Sequence, residues 1–179
     1  MTAAATTPRD IELVRSFVNT IDVEDGTDAL SSPADLHGWL LAHDQIDAGT
    51  RVAAEDLELA LRLRGALRAE LAAHHDGDVD PVAVAELDDV CAALPLRAVA
   101  SGAALAPCGS DARAGLAAIV AAAARARITG SWPRLKMCPA DDCRWAFYDA
   151  SRNRSRRWCS MDVCGNRNKV RAFRDRTRT

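Results

Sequence analysis

CPADDC (138–143), RWAFYDASRNRSRRW (144–158) and CSMDVC (159–164) are the stretch on which the reading of this chain turns. Cys138 and Cys143 form one pair and Cys159 and Cys164 a second, with four residues inside each pair and fifteen between the pairs. Two close cysteine pairs at this separation have the layout of a tetrahedral zinc site, in which each tight turn supplies two thiolates. Pro139 and the Asp141-Asp142 doublet suit a turn that presents its flanking sulfurs to one ion. Four sulfurs leave no coordination position open, so a single structural Zn²⁺ is expected rather than a catalytic one. Two disulfides are the competing reading, but nothing in the chain points to export. Redox-active pairs are disfavoured because the spacing is not C-x-x-C.

Outward from this stretch, the charge is divided unevenly. The 179 residues carry a formal net charge of −2. Residues 1–129 hold ten Arg against twenty Asp or Glu, a net of −10. Residues 130–179 hold thirteen Lys or Arg against five Asp, a net of +8. Four thiolates on one divalent ion would leave the tail at +6, still strongly basic. Such asymmetry points to a tail that binds a polyanion, with DNA as the leading partner, unless the two halves neutralise each other in the fold. Arg outnumbers Lys 21 to 2, which reflects GC-rich coding rather than function. The start of the chain lacks the basic and apolar regions of a signal peptide, and no apolar run is long enough for a membrane span. The expectation is a soluble, cytoplasmic protein.

The 49% hydrophobic content is ample for a core, and periodicity predicts a mainly α body. Residues 1–8 read as a frayed start. Asp10 is the expected cap of a first helix running to about Thr20, with Ile11, Val14 and Val18 on one stripe and Phe17 beside it. Ser32-Pro33 opens a second helix to about Ala42, and a long third one runs from Ala53 to about His74. Arg64 falls in line with Leu57, Leu61 and Leu71. A guanidinium there either packs its stem over the core with its head in water or on a carboxylate, or builds a pocket for a small anionic effector. His74 and His75, at a helix end beside a turn, read as solvated. Asp80-Pro81 starts a further helix with Val84, Leu87, Val90 and Cys91 available for burial. Residues 96–100 and 103–108 flank Ser101-Gly102 as a small hairpin, and Ser110 is the expected cap of a last helix, 112–128. Cys91 and Cys108 read as small buried hydrophobes. Residues 130–134 read as a linker.

In the tail, residues 135–137 and 145–148 read as short strands on either side of the first cysteine pair, with Phe147 and Tyr148 in a small core. The segment 151–157 carries Arg152, Asn153, Arg154, Arg156 and Arg157 with no carboxylate. Guanidinium forks match phosphate oxygens and Ser or Asn add neutral donors, the set that positions a protein on a nucleic-acid backbone. Beyond Cys164, Val163, Val170 and Phe173 form an apolar stripe expected on the zinc core, and Arg167, Arg171, Arg174 and Arg178 form a second stripe beside it. Lys169 adds a further cation. Asn166 either reads a base edge or serves the turn, and Gly165 permits an unusual backbone angle or a close approach near the metal. A single finger with few base-reading side chains gives modest specificity, so a homodimer or another partner is expected for tight recognition.

Cys164-Gly165-Asn166-Arg167, with Ser151 to Met161 and Lys169-Val170-Arg171, closely resembles the CGNR zinc fingers over about forty-five residues. That resemblance implies a treble-clef-like finger: a knuckle, a hairpin and a helix opening at the second cysteine pair. Phe17-Val18-Asn19-Thr20 resembles a motif near the start of the ABATE domain, the usual N-terminal companion of that finger. Periodicity places Asn19 off the apolar stripe as a solvated residue or helix stop, whereas the resemblance implies a ligand or hydrogen-bonding role. The expected architecture is a helical ABATE-like domain (9–129), a linker (130–134) and a finger (135–179). The expected function is a zinc-containing transcription regulator that binds DNA, its body sensing a small molecule or dimerising. The alternative is an adaptor whose basic finger docks an acidic protein or an RNA. No phosphate loop or nucleophile signature marks an enzyme, and His37, His43, His74 and His75 sit in no recognisable catalytic spacing.

Overall fold

The structure is a computed structural model and describes residues 7–75, 77, 80–100 and 104–177. The fraying expected at residues 1–8, the turn expected at 101–102 and the cation Arg178 fall partly or wholly outside the described residues. Among the described residues five helices build the body: α1 (Arg9–Val18), α2 (Pro33–Ala42), α3 (Ala54–Ala73), α4 (Pro81–Ala92) and α5 (Ala112–Ile128). Three antiparallel two-stranded ladders punctuate them: β1 (Ile21–Asp22) with β2 (Thr27–Asp28), β3 (Leu96–Val99) with β4 (Ala104–Pro107), and β5 (Leu135–Met137) with β6 (Ala146–Tyr148). The chain closes on α6 (Asn166–Thr177). No helix among the described residues is long and apolar enough to cross a membrane.

Local chemistry sets most of the helix boundaries. Ser32 caps α2 by accepting from the Asp35 amide at 3.2 Å, with Pro33 at the first helical position. Asp80 caps α4 in the same way, accepting from Val82 at 2.9 Å. Two expected caps are corrected. At α1 the cap position is held by Pro8, because the Asp10 carboxylate is drawn into a forked pair with Arg125 of α5 at 2.6 to 3.2 Å. At α5 Asp111, not Ser110, accepts from the Ala114 amide at 2.9 Å.

The main core is built by the helices of the body. Ile11, Val14, Phe17, Leu36, Leu40, Leu63, Leu67, Leu71, Leu116 and Ile119 are fully or almost fully buried. Burying a side chain of this size stabilises by about 1.5–3 kcal/mol relative to leaving it in water. α3 packs on α4 and α1 on α5, so α3 is covered on two sides and its buried surface is wider than one stripe, with Leu57 and Leu61 only half-buried. Gly115 lets α5 close on the end of α2: a Cβ there would stand 2.9 Å from Ile46 and 3.2 Å from the Gln45 carbonyl. Val84 stays exposed, since α4 offers the core little beyond Val90. Cys91 is half-buried but Cys108 is exposed at the end of the hairpin, a correction to the expectation that both are buried.

The core does not stop at the body. Trp132, Leu135, Met137 and Ala146 are buried in the same cluster as the body's leucines. Residues 132–134 form a tight turn in which Trp132 donates to Glu70 of α3 at 2.7 Å and lies under the Arg127 guanidinium at 4.2 Å. β5 thus rests on α3 and β6 on α1, and the tail is seated on the body through the hairpin.

Candidate metal centre and basic surface

The hairpin turn is the first half of the metal site. Met137 ends β5, and Cys138 still donates to the Trp145 carbonyl at 2.9 Å before the chain swings out. Both Cys143 and Arg144 donate to the Ala140 carbonyl at 3.0 Å, with Arg144 at φ +52°, so the knuckle curls tightly enough to face both sulfurs one way. The second half is a wide helical turn, Met161–Gly165, capped by Ser160, which brings Cys164 to the start of α6. Gly165 serves by close approach rather than by an unusual angle, since a Cβ there would lie 2.6 Å from the Met161 sulfur and 3.3 Å from Trp158. Asn166 donates to the Asp162 carbonyl at 3.1 Å and so serves the turn.

These pieces bring the four cysteine sulfurs within 4.8 Å of one another, with Cys143–Cys159 and Cys159–Cys164 each at 3.6 Å. Zinc–sulfur bonds of about 2.3 Å in a tetrahedron require sulfurs about 3.8 Å apart, so the donor set fits one Zn²⁺ with no open position. Without an ion two of the thiols resist ionisation, while at Cys138 burial is outweighed by hydrogen bonds that hold the thiol below its ordinary value. Burial, then the neighbouring sulfurs, push the Cys159 thiol far up and the Cys164 thiol to about 11. A divalent ion removes that obstacle and releases protons as it binds. Cys138, Cys143, Cys159 and Cys164 are the ligands of a structural zinc, and they share a small core with Ala140 and Phe147.

The basic segment is built on a buried ion pair that periodicity did not reveal. Lys136 of β5 is 6% exposed and Asp149 is fully buried, joined at 2.9 Å. The Lys136 ammonium also donates to the carbonyls of Arg154 at 2.6 Å and Arg156 at 3.3 Å. Asp149 accepts from the Ser151 amide and hydroxyl at 2.9 and 2.5 Å and from the Arg156 amide at 2.9 Å. Burial pushes the Asp149 carboxyl up, but the Ser151 and Lys136 bonds outweigh it and hold the group below the usual carboxylate range. Arg134 closes the base, donating to the carbonyls of Asp149 at 3.0 Å and Ser151 at 2.9 Å. Arg154 sits at φ +54°, a conformation that costs about 1–3 kcal/mol unless its surroundings enforce it.

On this frame Arg152, Asn153, Arg154 and Arg157 are exposed, and the three arginines have no side-chain partner among the described residues. Arg156 is different. It donates to the Trp158 carbonyl at 2.9 Å and to the Cys159 carbonyl, and its guanidinium lies 5.1 Å from the Phe147 ring centre. On α6 the expected arrangement of stripes is corrected. Val163, Val170 and Phe173 are about half exposed or more, and the helix turns its arginine side toward acidic groups beside the zinc core. Arg167 pairs with Asp142 at 3.0 Å and with Glu24, in the β1–β2 turn of the body, at 2.7 Å. Arg171 reaches Asp142 at 3.2 Å. Two opposed charges on the knuckle and body outcompete the apolar contact that spacing alone favours. Lys169 and Arg174 are exposed.

The two residues read as effector ligands are engaged inside the protein. Asn19 follows the last residue of α1, where its amide donates to the Ala146 carbonyl at 2.9 Å and accepts from the Ala146 amide at 2.8 Å. It therefore pairs like a neighbouring strand with β6 of the finger. Arg64 is 7% exposed and grips Asp28 with two bonds at 2.7 and 2.6 Å, adding Thr20 at 2.9 Å. The Arg64 bond is the main reason the Asp28 carboxyl lies below its ordinary value. Arg68 bonds the carbonyls of Val18 at 2.7 Å and Arg144 at 3.1 Å, again linking body to finger. His74 and His75, expected in solvent, bond the β5 carbonyls of Leu135 at 2.7 Å and Met137 at 2.5 Å. Arg68 and these histidines gave no sequence signal, because only the packing of β5 and the knuckle against α3 creates their acceptors.

Residues 134–177 match the family model of the CGNR zinc finger. Residues 12–131 match the ABATE family model, whose description is "Putative stress-induced transcription regulator". No curated protein matches the chain.

Proposed function

We propose, from the premise that this chain belongs to the ABATE family of "Putative stress-induced transcription regulator" proteins, that it binds DNA through the basic segment of its zinc finger. The observation that carries the reading is the frame beneath residues 151–157. A lysine and an aspartate are buried to hold that backbone, one residue of it at positive φ, while Arg152, Arg154 and Arg157 point outward without acidic partners. A segment fixed in this way loses little entropy on docking to phosphates, and its forks are presented ready for bidentate contact. Lys169, Arg174 and Arg176 on α6 extend the exposed positive charge. One tail arginine, Arg167, is paired with the acidic body, through Glu24, whereas Arg152, Arg154 and Arg157 are exposed on the other segment.

The test is a duplex titration of the whole zinc-loaded chain at several salt concentrations. The whole chain is required because Trp132, Leu135, Met137 and Ala146 belong to the shared core. With about six phosphates neutralised, affinity falls about a thousandfold between about 50 and about 200 mM salt. Replacing Arg152, Arg154 and Arg157 together by Ala lowers the salt slope by about 0.9 for each phosphate that is no longer neutralised. Absent or salt-insensitive duplex binding overturns the reading in favour of an acidic protein partner, and preference for structured RNA in competition overturns the choice of DNA.

A further inference from the structure

A second site lies away from the finger. α1, the segment just after α2, β4 and α5 line a half-open cavity of about 580 Å³, whose apolar lining includes Leu13, Leu105, Pro107, Ala118 and Ala121. Two polar residues on its wall are coupled: the Ser16 hydroxyl lies 2.6 Å from His43 Nε2. His43 Nδ1 lies 2.8 Å from the Trp39 carbonyl, and its ring stacks on the Trp39 indole at 4.0 Å between centres and 20° between planes. A carbonyl can only accept, so Nδ1 carries the proton and Nε2 presents its lone pair. The Ser16 O–H must therefore donate to Nε2. Nucleophile, base and a third group that fixes the tautomer stand in the order required to activate a serine. The charges facing the cavity from its walls are mostly neutralised in place, Asp10 by Arg125 at 2.6 Å and Glu12 by Arg15 at 2.5 Å. Arg9 and Asp44 add one charge of each sign to the rim, so the lining is polar on one side, apolar on the other and close to neutral in sum, which suits a small uncharged molecule with a polar end.

We propose that Ser16 is a nucleophile that is acylated by small neutral esters entering this cavity. Ser16 Oγ attacks the ester carbonyl carbon as its proton passes to His43 Nε2. The bond to the leaving oxygen then breaks, and that oxygen takes the proton, leaving an acyl-serine and a free alcohol or phenol. Ser16 sits inside α1, where the amide after it is committed to an intrahelical bond, unlike the free amide that follows a serine on a strand-to-helix elbow. Without that oxyanion donor both acylation and hydrolysis are slow, but an activated ester with a good leaving group acylates faster than the acyl-serine, an ordinary alkyl ester, is hydrolysed, so the adduct accumulates as a stoichiometric mark rather than turning over. Asn19 lies three residues further along the same chain segment, clamped to the finger.

The experiment treats the whole zinc-loaded chain with p-nitrophenyl acetate, follows nitrophenolate release and maps acetylated peptides by mass spectrometry. The expected result is a burst of about one equivalent with acetyl on Ser16, absent from Ser16→Ala. In His43→Gln, checked for an unchanged melting temperature, acetylation of Ser16 slows by about a hundredfold or more. The proposal is overturned if the folded native chain carries acetyl only on other side chains. It is equally overturned if Ser16 reacts no faster than exposed Ser31, or at the same rate in folded His43→Gln.

Discussion

Asn19 shows how much one side chain can carry. Its amide satisfies both the N–H and the C=O of Ala146 in a partly buried junction, so Asn19→Ala leaves two backbone groups unpaired. A loss of about 2 kcal/mol or more is expected from chemical denaturation, since each orphaned group costs about 1–3 kcal/mol. Zinc content should be unchanged, because Asn19 bonds the backbone of Ala146 and none of the four sulfurs. His74 acts at the same junction through pH. Burial lowers its pKa below 6.5, and the short bond to the Leu135 carbonyl only partly opposes this. The folded state therefore binds a proton less readily than the unfolded state. His74 contributes its full stability above the unfolded value of 6.5 and loses it as the pH falls from there through the lower folded value. Melting curves of the native chain and of His74→Gln should converge toward the acid end of this window. Parallel curves would show that the imidazole is not the group responsible.

Among the elements, the 151–157 segment and α6 present positive charge in two different ways. The segment is fixed from beneath, so Lys136→Met strands the buried Asp149 carboxylate and should cost about 3–5 kcal/mol in unfolding free energy. Duplex affinity should fall with it even though no exposed cation is removed, and unaltered binding would mean that the frame is irrelevant to recognition. α6 is held from the side. Arg167 shares its fork between Asp142 and Glu24, whose side chains are 39% and 49% exposed. Exposed pairs are worth about 0.2–1 kcal/mol, so Glu24→Gln should tighten duplex binding by no more than about fivefold. The direction is set by competition, since phosphate and Glu24 seek the same guanidinium. A weaker complex in Glu24→Gln would mean instead that the pair orients α6 for binding.

For the whole molecule, the decisive feature is that the β5–β6 hairpin, which carries the first half of the zinc site, shares a core with the helical body, while the cysteines pack in a small cluster of their own beside it. Trp132, Leu135, Met137 and Ala146 are buried with the body's leucines, and Arg68 and Asn19 tie β6 and the knuckle to α1 and α3. Metal binding of this kind contributes on the order of 10 kcal/mol to the folded state. Removing zinc with a chelator should therefore lower one cooperative calorimetric transition of the entire chain. A body that melts at an unaltered temperature after the metal is gone would show that the two parts are energetically separate. The acidic body is thus joined to its basic tail by side chains bonded to the finger's backbone, in addition to the covalent connection.

What the sequence determined by itself was whatever depends on near neighbours. The cysteine spacing specified four sulfurs on one ion, Ser32-Pro33 and Asp80-Pro81 marked two helix starts, and the carboxylate-free run 151–157 marked exposed positive charge. Short-range sterics, ligand geometry and charge density act within a few residues, so they are legible in order along the chain. Only the tertiary structure decided which polar groups meet across it. Asn19 finds Ala146, Lys136 finds Asp149, Ser16 finds His43, and Arg167 turns to Glu24 with its apolar neighbours left in solvent. A buried or half-buried polar group is worth what its partner makes it worth, and the partner's position depends on how α1, α3 and the β5–β6 hairpin pack.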